Sequence, residues 1–299
     1  MNKFSISQLE HFSGIKAHTI RIWEQRYNAL QPERSDGNTR FYNGSQLRRL
    51  LNLVILLESG YKISEVGGLP EEEIKLMLEK ETIASKPEGK KERLAAQLIG
   101  AALTYDEAGF NKIYEACVKQ FGIIGAYTNV IYSVLIRVGQ LWTVTTLDAA
   151  QEHFITNLFR QKLLAAADAL PLPKPANHKW LLFLPEDEFH ETGLLLANFL
   201  LRQIGIQVVY IGANLPLTEL ETAVADTNPS ALLFFLVSKK SEVQDNKYVQ
   251  ALAAKVKGID IYVACTEQRA KKIKRHKRIT WLHSVDDLQR IIDQTKHSN

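Results

Sequence analysis

The sequence predicts a multidomain chain: helical domains over roughly the first 170 residues, then an α/β domain on an open parallel sheet. Three observations carry this. Two short helical patterns near the start are separated by a glycine and followed by a turn-rich stretch with one alternating run. Between about residues 93 and 170, apolar residues recur at helical spacing with only short breaks. From residue 178, five apolar, β-prone runs alternate with helical patterns, the signature of a doubly wound sheet covered on both faces. A length of 299 residues exceeds one compact domain and suits two or three.

Taken in order, Ser5 is placed to cap a first helix, with Gln8 three residues on as its capping-box partner. The pattern SQLEHF ends at Gly14, and KAHTIRIWEQRY follows with Ile20, Trp23 and Tyr27 on one face. Two helices joined by a glycine-containing turn form a helix-turn-helix. In LQPERSDGNTRFYNG, the DG and NG pairs are turn signals and TRFY alternates like a short strand, which predicts a β-hairpin wing. SQLRRLLNLVILLESG and the short ISEVGGL complete a winged domain over residues 1–75. Residues 76–92, ending in KPEGKKE after a short helical start, read as a polar linker.

Residues 93–172 hold four helical patterns with short connections, expected to form an up-down four-helix bundle. Residues 178–299 hold the strands KWLLFLP, QVVYIGA, SALLFFLV, IDIYVAC and RITWLH. The run RAKKIKRHKR, 269–278, reads as a solvated helix face. Ligands on such sheets bind beyond the carboxyl ends of the strands. EDEFHETG, residues 186–193, lies just past the first strand, where a site belongs. A histidine there is often only a polar surface residue; as a ligand it needs a metal that brings its own cofactor.

Composition narrows the class. With 45% apolar and 23% charged residues, the chain is ordinary globular protein. Apolar runs such as ALLFFLV are too short to span a bilayer, and MNKFSISQLEHF lacks a signal-peptide core. Cys117 and Cys265 alone exclude a disulfide framework and a cysteine-based zinc site. The expectation is a cytoplasmic protein with no membrane partner. Residues 1–50 carry eight Lys and Arg against four Asp and Glu, equal to the net +4 of the whole chain. A locally basic small domain points to a polyanion, although a solvated surface gives the same count.

The head, FSISQLEHFSGIKAHTIRIWEQRY with the wing NTRFY and then LRRLLNLVILLESGYKISEV, resembles the MerR family of winged-helix transcriptional regulators over residues 4–67. The resemblance implies operator DNA as partner. Lys16, His18, Thr19 and Arg21 then face the major groove, and Arg40 and Tyr42 of the wing face phosphate or minor groove. Ile20 and Trp23 share the apolar face and are assigned to the core.

Glu188-x-His190-x-x-Gly193 resembles the cobalamin-binding domain shared by methionine synthase and cobalamin-dependent mutases, with a flavodoxin-like sheet. The resemblance implies that His190 binds cobalt as lower axial ligand, that Glu188 fixes its tautomer, and that Gly193 admits the cofactor. Ser238 follows the third strand, where that family has a serine. Trp142, separated by nine residues from Glu152-His153, resembles with them the cap of cobalamin-dependent light-sensing repressors of carotenoid genes. These three residues would then cover the upper face of adenosylcobalamin or methylcobalamin.

Two positions depart from the pattern. Ala264-Cys265 stands where the family has Gly-Gly against the nucleotide tail, and side chains there are expected to crowd it. Thr143 stands where light-sensing members have a second cobalt-binding histidine, so no bis-histidine photoproduct is expected through this position. The reading is a non-enzymatic, DNA-binding regulator, expected as a repressor, whose homo-oligomerisation (dimer or tetramer) or operator binding responds to cobalamin. The alternative is a cofactor-independent regulator in which the α/β domain serves as an interaction module.

Overall fold

The computed structural model describes residues 4–34, 39–84, 87–143, 149–173, 178–238 and 240–297. The chain divides into two compact units, Met1–Asn157 and Leu158–Asn299.

In the first unit, α1 (Ile6–Ser13) opens on the expected capping box: Gln8 N donates to Ser5 Oγ at 3.2 Å and Ser5 N to Gln8 Oε1 at 2.8 Å. Helix α2 (Ala17–Tyr27) follows, and Glu10 of α1 accepts from Ala17 N at 3.0 Å at its start. Ile20 and Trp23 are buried. Strands β1 (Glu33–Arg34) and β2 (Arg40–Phe41) pair antiparallel as the predicted wing; its tip, 35–38, lies outside the described residues. Phe4 and Tyr42 exchange backbone hydrogen bonds of 2.7 and 2.9 Å, tying the chain start to the wing base. Helices α3 (Gly44–Glu58) and α4 (Ile63–Val66) complete the head.

The stretch read as a linker is helical instead. Helix α5 (Glu71–Ala84) and α6 (Pro87–Leu103) occupy it, with 85 and 86 outside the described residues. Glu71, Glu72 and Glu73 sit at the favourable end of the α5 dipole, and Ile74 and Leu78, one turn apart, are both buried. Pro87 takes the first helical position, where a missing N–H costs nothing. Head and bundle belong to one unit because α3 meets α6 and the turn after it: Arg48 pairs with Asp106 at 3.0 Å, and Arg93 donates to Ser59 Oγ at 2.7 Å.

Helices α6, α7 (Glu107–Ala126), α8 (Tyr132–Thr143) and α9 (Ala149–Asp168) are the expected four. The break between the second and third falls at Gly122, with φ 68° and ψ 173°, a conformation side chains resist. A π-helical turn, Tyr127–Ile131, then leads into α8. The run Glu107–Gly139, which contains an 18-residue window with a mean hydropathy of 1.5, is long and apolar enough by composition to cross a bilayer, contrary to the reading of short runs. Its backbone is interrupted at Gly122, and Phe110, Cys117, Val130, Ile131 and Val134 within it are buried in this unit.

The second unit begins in the latter half of α9. Its parallel sheet contains β3 (Lys179–Pro185), β4 (Gln207–Leu215), β5 (Ala231–Phe235), β6 (Asp260–Ala264) and β7 (Ile279–Leu282), in the order β4-β3-β5-β6-β7. This is the flavodoxin-like order, with its switch point between β3 and β5. Helices α10 (Thr192–Gln203) and α14 (Val285–His297) pack together, while α11 (Leu217–Thr227) and α12 (Glu242–Lys255) contribute Leu220, Val249 and Leu252 to a core on the other face. Leu181, Phe183, Leu232, Phe234, Ile261 and Val263 face that core. Trp180 and Tyr262 alternate to the α10 side and stack at 4.8 Å. The basic run 269–278 is not a helix face: only Glu267–Ala270, labelled α13, is helical, and Ile273 is buried.

Candidate functional site

The switch point brings together two loops, one after β3 and one after β5. Glu188 is 2% exposed, yet it is fully provided with donors. Its Oε1 accepts from His190 Nδ1 at 2.6 Å and Ser238 Oγ at 2.8 Å, and more weakly from the backbone of Phe189 and His190. Its Oε2 accepts from the backbone N–H groups of Val237 at 2.8 Å and Ser238 at 2.6 Å. Burial alone would push the carboxyl up. The hydrogen bonds from His190, from the backbone and hydroxyl of Ser238 and from Val237 outweigh it and bring Glu188 down to about 2.

An ionised Glu188 fixes the imidazole. With the Nδ1 proton donated to the carboxylate, the ring lone pair sits on Nε2, the tautomer an axial metal ligand needs. The His190 side chain is 59% exposed. Phe189, its neighbour in the chain, and Val237, whose N–H holds Glu188, expose 63% and 49% of their surface. Among the described residues no three His, Cys, Asp or Glu side chains converge on a metal position. A single imidazole therefore suits a metal whose other ligands arrive with it. Glu191, the next residue, is held by Arg160 Nε at 2.7 Å and Tyr210 OH at 3.1 Å.

The chemistry of this donor set fits a lower axial nitrogen; Gly193 and Ala264-Cys265 also have places of their own in the packing. A Cβ on Gly193 would stand 2.6 Å from Phe235 Cε1, so this glycine already serves close packing of α10 on β5. The side chains of Ala264-Cys265 turn to opposite faces of the sheet. Cys265 packs with Ile261 and Val263 on the α11–α12 core, and burial pushes its thiol up to about 11. By strand alternation only the Ala264 methyl faces the α10 side. Sequence reading missed Asn214, at φ 59°, whose side chain accepts from Asp187 N at 2.9 Å and whose N–H donates to Glu188 O at 3.2 Å. Its signal was an asparagine after a strand-borne glycine, since asparagine tolerates this backbone region. Also missed were Arg269 and Asp245, which adjoin Ser238.

On the bundle, Glu152 lies in the first turn of α9, accepts from Thr156 Oγ1 at 2.8 Å and pairs with His153 Nδ1 at 2.9 Å. His153 is 73% exposed. Trp142 and Thr143 are in the last turn of α8, but their side chains, like the connection 144–148, lie outside the described residues.

In the head, Lys16, His18 and Arg21 are exposed and Thr19 is half-buried on the outward side of α2. Lys16 pairs with Glu10 at 3.1 Å, and His18 Nε2 is 3.3 Å from Thr19 Oγ1. The wing assignment is corrected. Tyr42 is fully buried and its hydroxyl donates to Glu24, while burial first and that carboxylate second push the phenol up. Arg40 is half-buried and pairs with Glu24 at 3.3 Å. Both clamp the wing to α2. The alternation of TRFY showed a strand but not which face would turn inward.

Residues 4–73 match the model of the MerR HTH family regulatory proteins, and residues 94–166 match that of the B12 binding domain. This chain joins a MerR-type helix-turn-helix head to a B12-binding domain. The chain is 28% identical over 275 residues to the HTH-type transcriptional repressor CarH of Myxococcus xanthus, covering 89% of this chain and 90% of that protein. It is 27% identical over 238 residues to the repressor CarA of the same organism, covering 79% and 77%. Among solved structures, the monomethylamine corrinoid protein of Methanosarcina barkeri matches with a TM-score of 0.54 at 12% identity, over 68% of this chain and 99% of that one. That likeness is one of fold.

Proposed function

We propose that this MerR-type chain is a transcriptional regulator, not an enzyme, whose operator binding is modulated by cobalamin. The observation that carries the reading is the pairing, in one chain, of a MerR head with a buried carboxylate that sets the tautomer of an exposed histidine at the switch point. The relatives named above are repressors, which supports repression here. His190 would supply the lower axial nitrogen, and the cofactor would supply a corrin-held cobalt with its own upper ligand, adenosyl or methyl. Lys16, His18, Thr19 and Arg21 would read the major groove. Ligand binding would act by favouring one assembly of the chains, dimer or tetramer, and so one spacing of heads. The protein is proposed to work in the cytoplasm.

The test is direct. The full chain is mixed with adenosylcobalamin or methylcobalamin, desalted and examined in the visible, then assayed on DNA from upstream of its own gene. A coloured protein that His190→Ala bleaches, with a cofactor-dependent change in DNA retardation, is the expected result. Arg21→Ala should keep the colour and lose about 1–3 kcal/mol of operator affinity. A colourless wild-type protein that still retards DNA would establish the cofactor-independent alternative.

A further inference from the structure

Behind the Glu188–His190 pair stands a charged group that neither the motif nor the family matches include. Asp245 on α12 is 3% exposed. Arg269 on α13 clasps it with two hydrogen bonds, Nε to Oδ2 at 2.6 Å and Nη2 to Oδ1 at 2.8 Å. The third guanidinium nitrogen, Nη1, donates to the backbone carbonyl of Ser238 at 2.8 Å. Lys240 N donates to the same carbonyl at 2.9 Å. Ser238 is the residue whose N–H and hydroxyl both hold Glu188.

We infer that Arg269, anchored by Asp245, is a positioning residue for the histidine site. Two donors on one carbonyl fix the peptide that follows Ser238 and so anchor the Ser238 Cα. From that anchored residue the N–H and hydroxyl reach Glu188, and Glu188 in turn aims the His190 ring. The relay runs from α13 through the loop after β5 to the loop after β3. Burying a carboxylate and a guanidinium together is expensive, and an apolar pair of similar volume is commonly as stable or more so. An ion pair at this place is explained by what its remaining nitrogen holds. Arginine is needed because its planar fork can clasp a carboxylate and still present a further N–H. The segment that carries it, following Ala264-Cys265, is the one that departs from the family's glycine pair.

The ligand arm of this inference rests on the cobalamin reading; the loop arm does not, and the test separates them. In the full-length protein without cofactor, amide hydrogen exchange is followed at Val237 and Ser238, with Leu232 and Val263 as internal references. Three variants are compared: Arg269→Ala, Arg269→Lys, and the double replacement Asp245→Leu with Arg269→Met, the last of which removes the donor without leaving a buried charge. The double variant is expected to exchange at least tenfold faster at Val237 and Ser238 with the references unchanged. Adenosylcobalamin titrated into it should bind at least fivefold more weakly, and Arg269→Lys with Asp245 intact should recover only part of the loss. Unchanged exchange at Val237 and Ser238 in the double variant overturns the inference, as does faster exchange with undiminished cobalamin affinity. If the wild type takes up no cobalamin while the exchange rates respond, the positioning role stands and the cofactor assignment fails.

Discussion

Replacing Glu188 with glutamine changes one atom at the most densely hydrogen-bonded side chain of the site. Glu188 in the folded chain titrates at about 2 against an ordinary 4.5. At about 1.4 kcal/mol per pH unit, the difference amounts to about 3 kcal/mol of stability carried by the ionised form. Because the folded value lies below the unfolded one, this contribution is fully present above pH 4.5 and is lost as the pH falls towards 2. Glutamine cannot replace it. With its NH2 at the Oε2 position it would oppose the N–H groups of Val237 and Ser238. With its NH2 at the Oε1 position it would make His190 Nδ1 an acceptor and move the ring proton to Nε2. Either way the site loses its ligand tautomer or its loop. Urea unfolding of wild type and Glu188→Gln at pH 7 and pH 3 measures the effect. The variant should be about 3 kcal/mol less stable at pH 7, with the gap narrowing at pH 3, and should fail to retain cobalamin. Equal stability of the two proteins at pH 7, with the same loss on acidification, would refute the reasoning.

Two further substitutions test packing. Gly193→Ala places a methyl 2.6 Å from Phe235 Cε1 and is expected to cost about 1–3 kcal/mol in thermal unfolding, with Phe235→Leu restoring part of it. If Gly193 instead mattered only for admitting a ligand, stability would not change. Arg93 is 5% exposed and donates to Ser59 Oγ, while its Nε and Nη1 are buried without acceptors among the described residues. Arg93→Met is expected to leave the melting temperature unchanged or raise it, because it removes unmet donors from the interior; a fall of more than a few degrees would contradict this.

What was legible in the sequence was what is local. The Ser5–Gln8 box spans three residues, and the five strands announce themselves as apolar runs. Glu188 and His190 are two residues apart in a loop, so their contact needs no knowledge of the fold. The linker reading failed because a proline and a glycine were weighed as breakers. The first sits at a helix start, and Ile74 and Leu78 had a buried face to fill. Arg269 was invisible as a site residue for a different reason. Its carboxylate partner lies 24 residues earlier and its carbonyl partner 31, and in the sequence it opens a run that reads as solvated charge.

The same limit applies to charge. Counting Lys and Arg over the head left a polyanion partner and a solvated surface both open, and the fold withdraws several of those charges from either. Arg49 donates to the carbonyls of Ala29, Gly67 and Leu69 and so joins the helices of the head from within. Arg48 is paired with Asp106 on the bundle, and Arg40 with Glu24 beneath the wing. What α2 presents outward is Arg21 and Arg26 with His18, and Lys16 beside Glu10. A small set of exposed cations per head gives a modest electrostatic contribution to DNA affinity. Under the proposed function, tight operator binding would come from several heads acting together, and their arrangement is what the ligand would change.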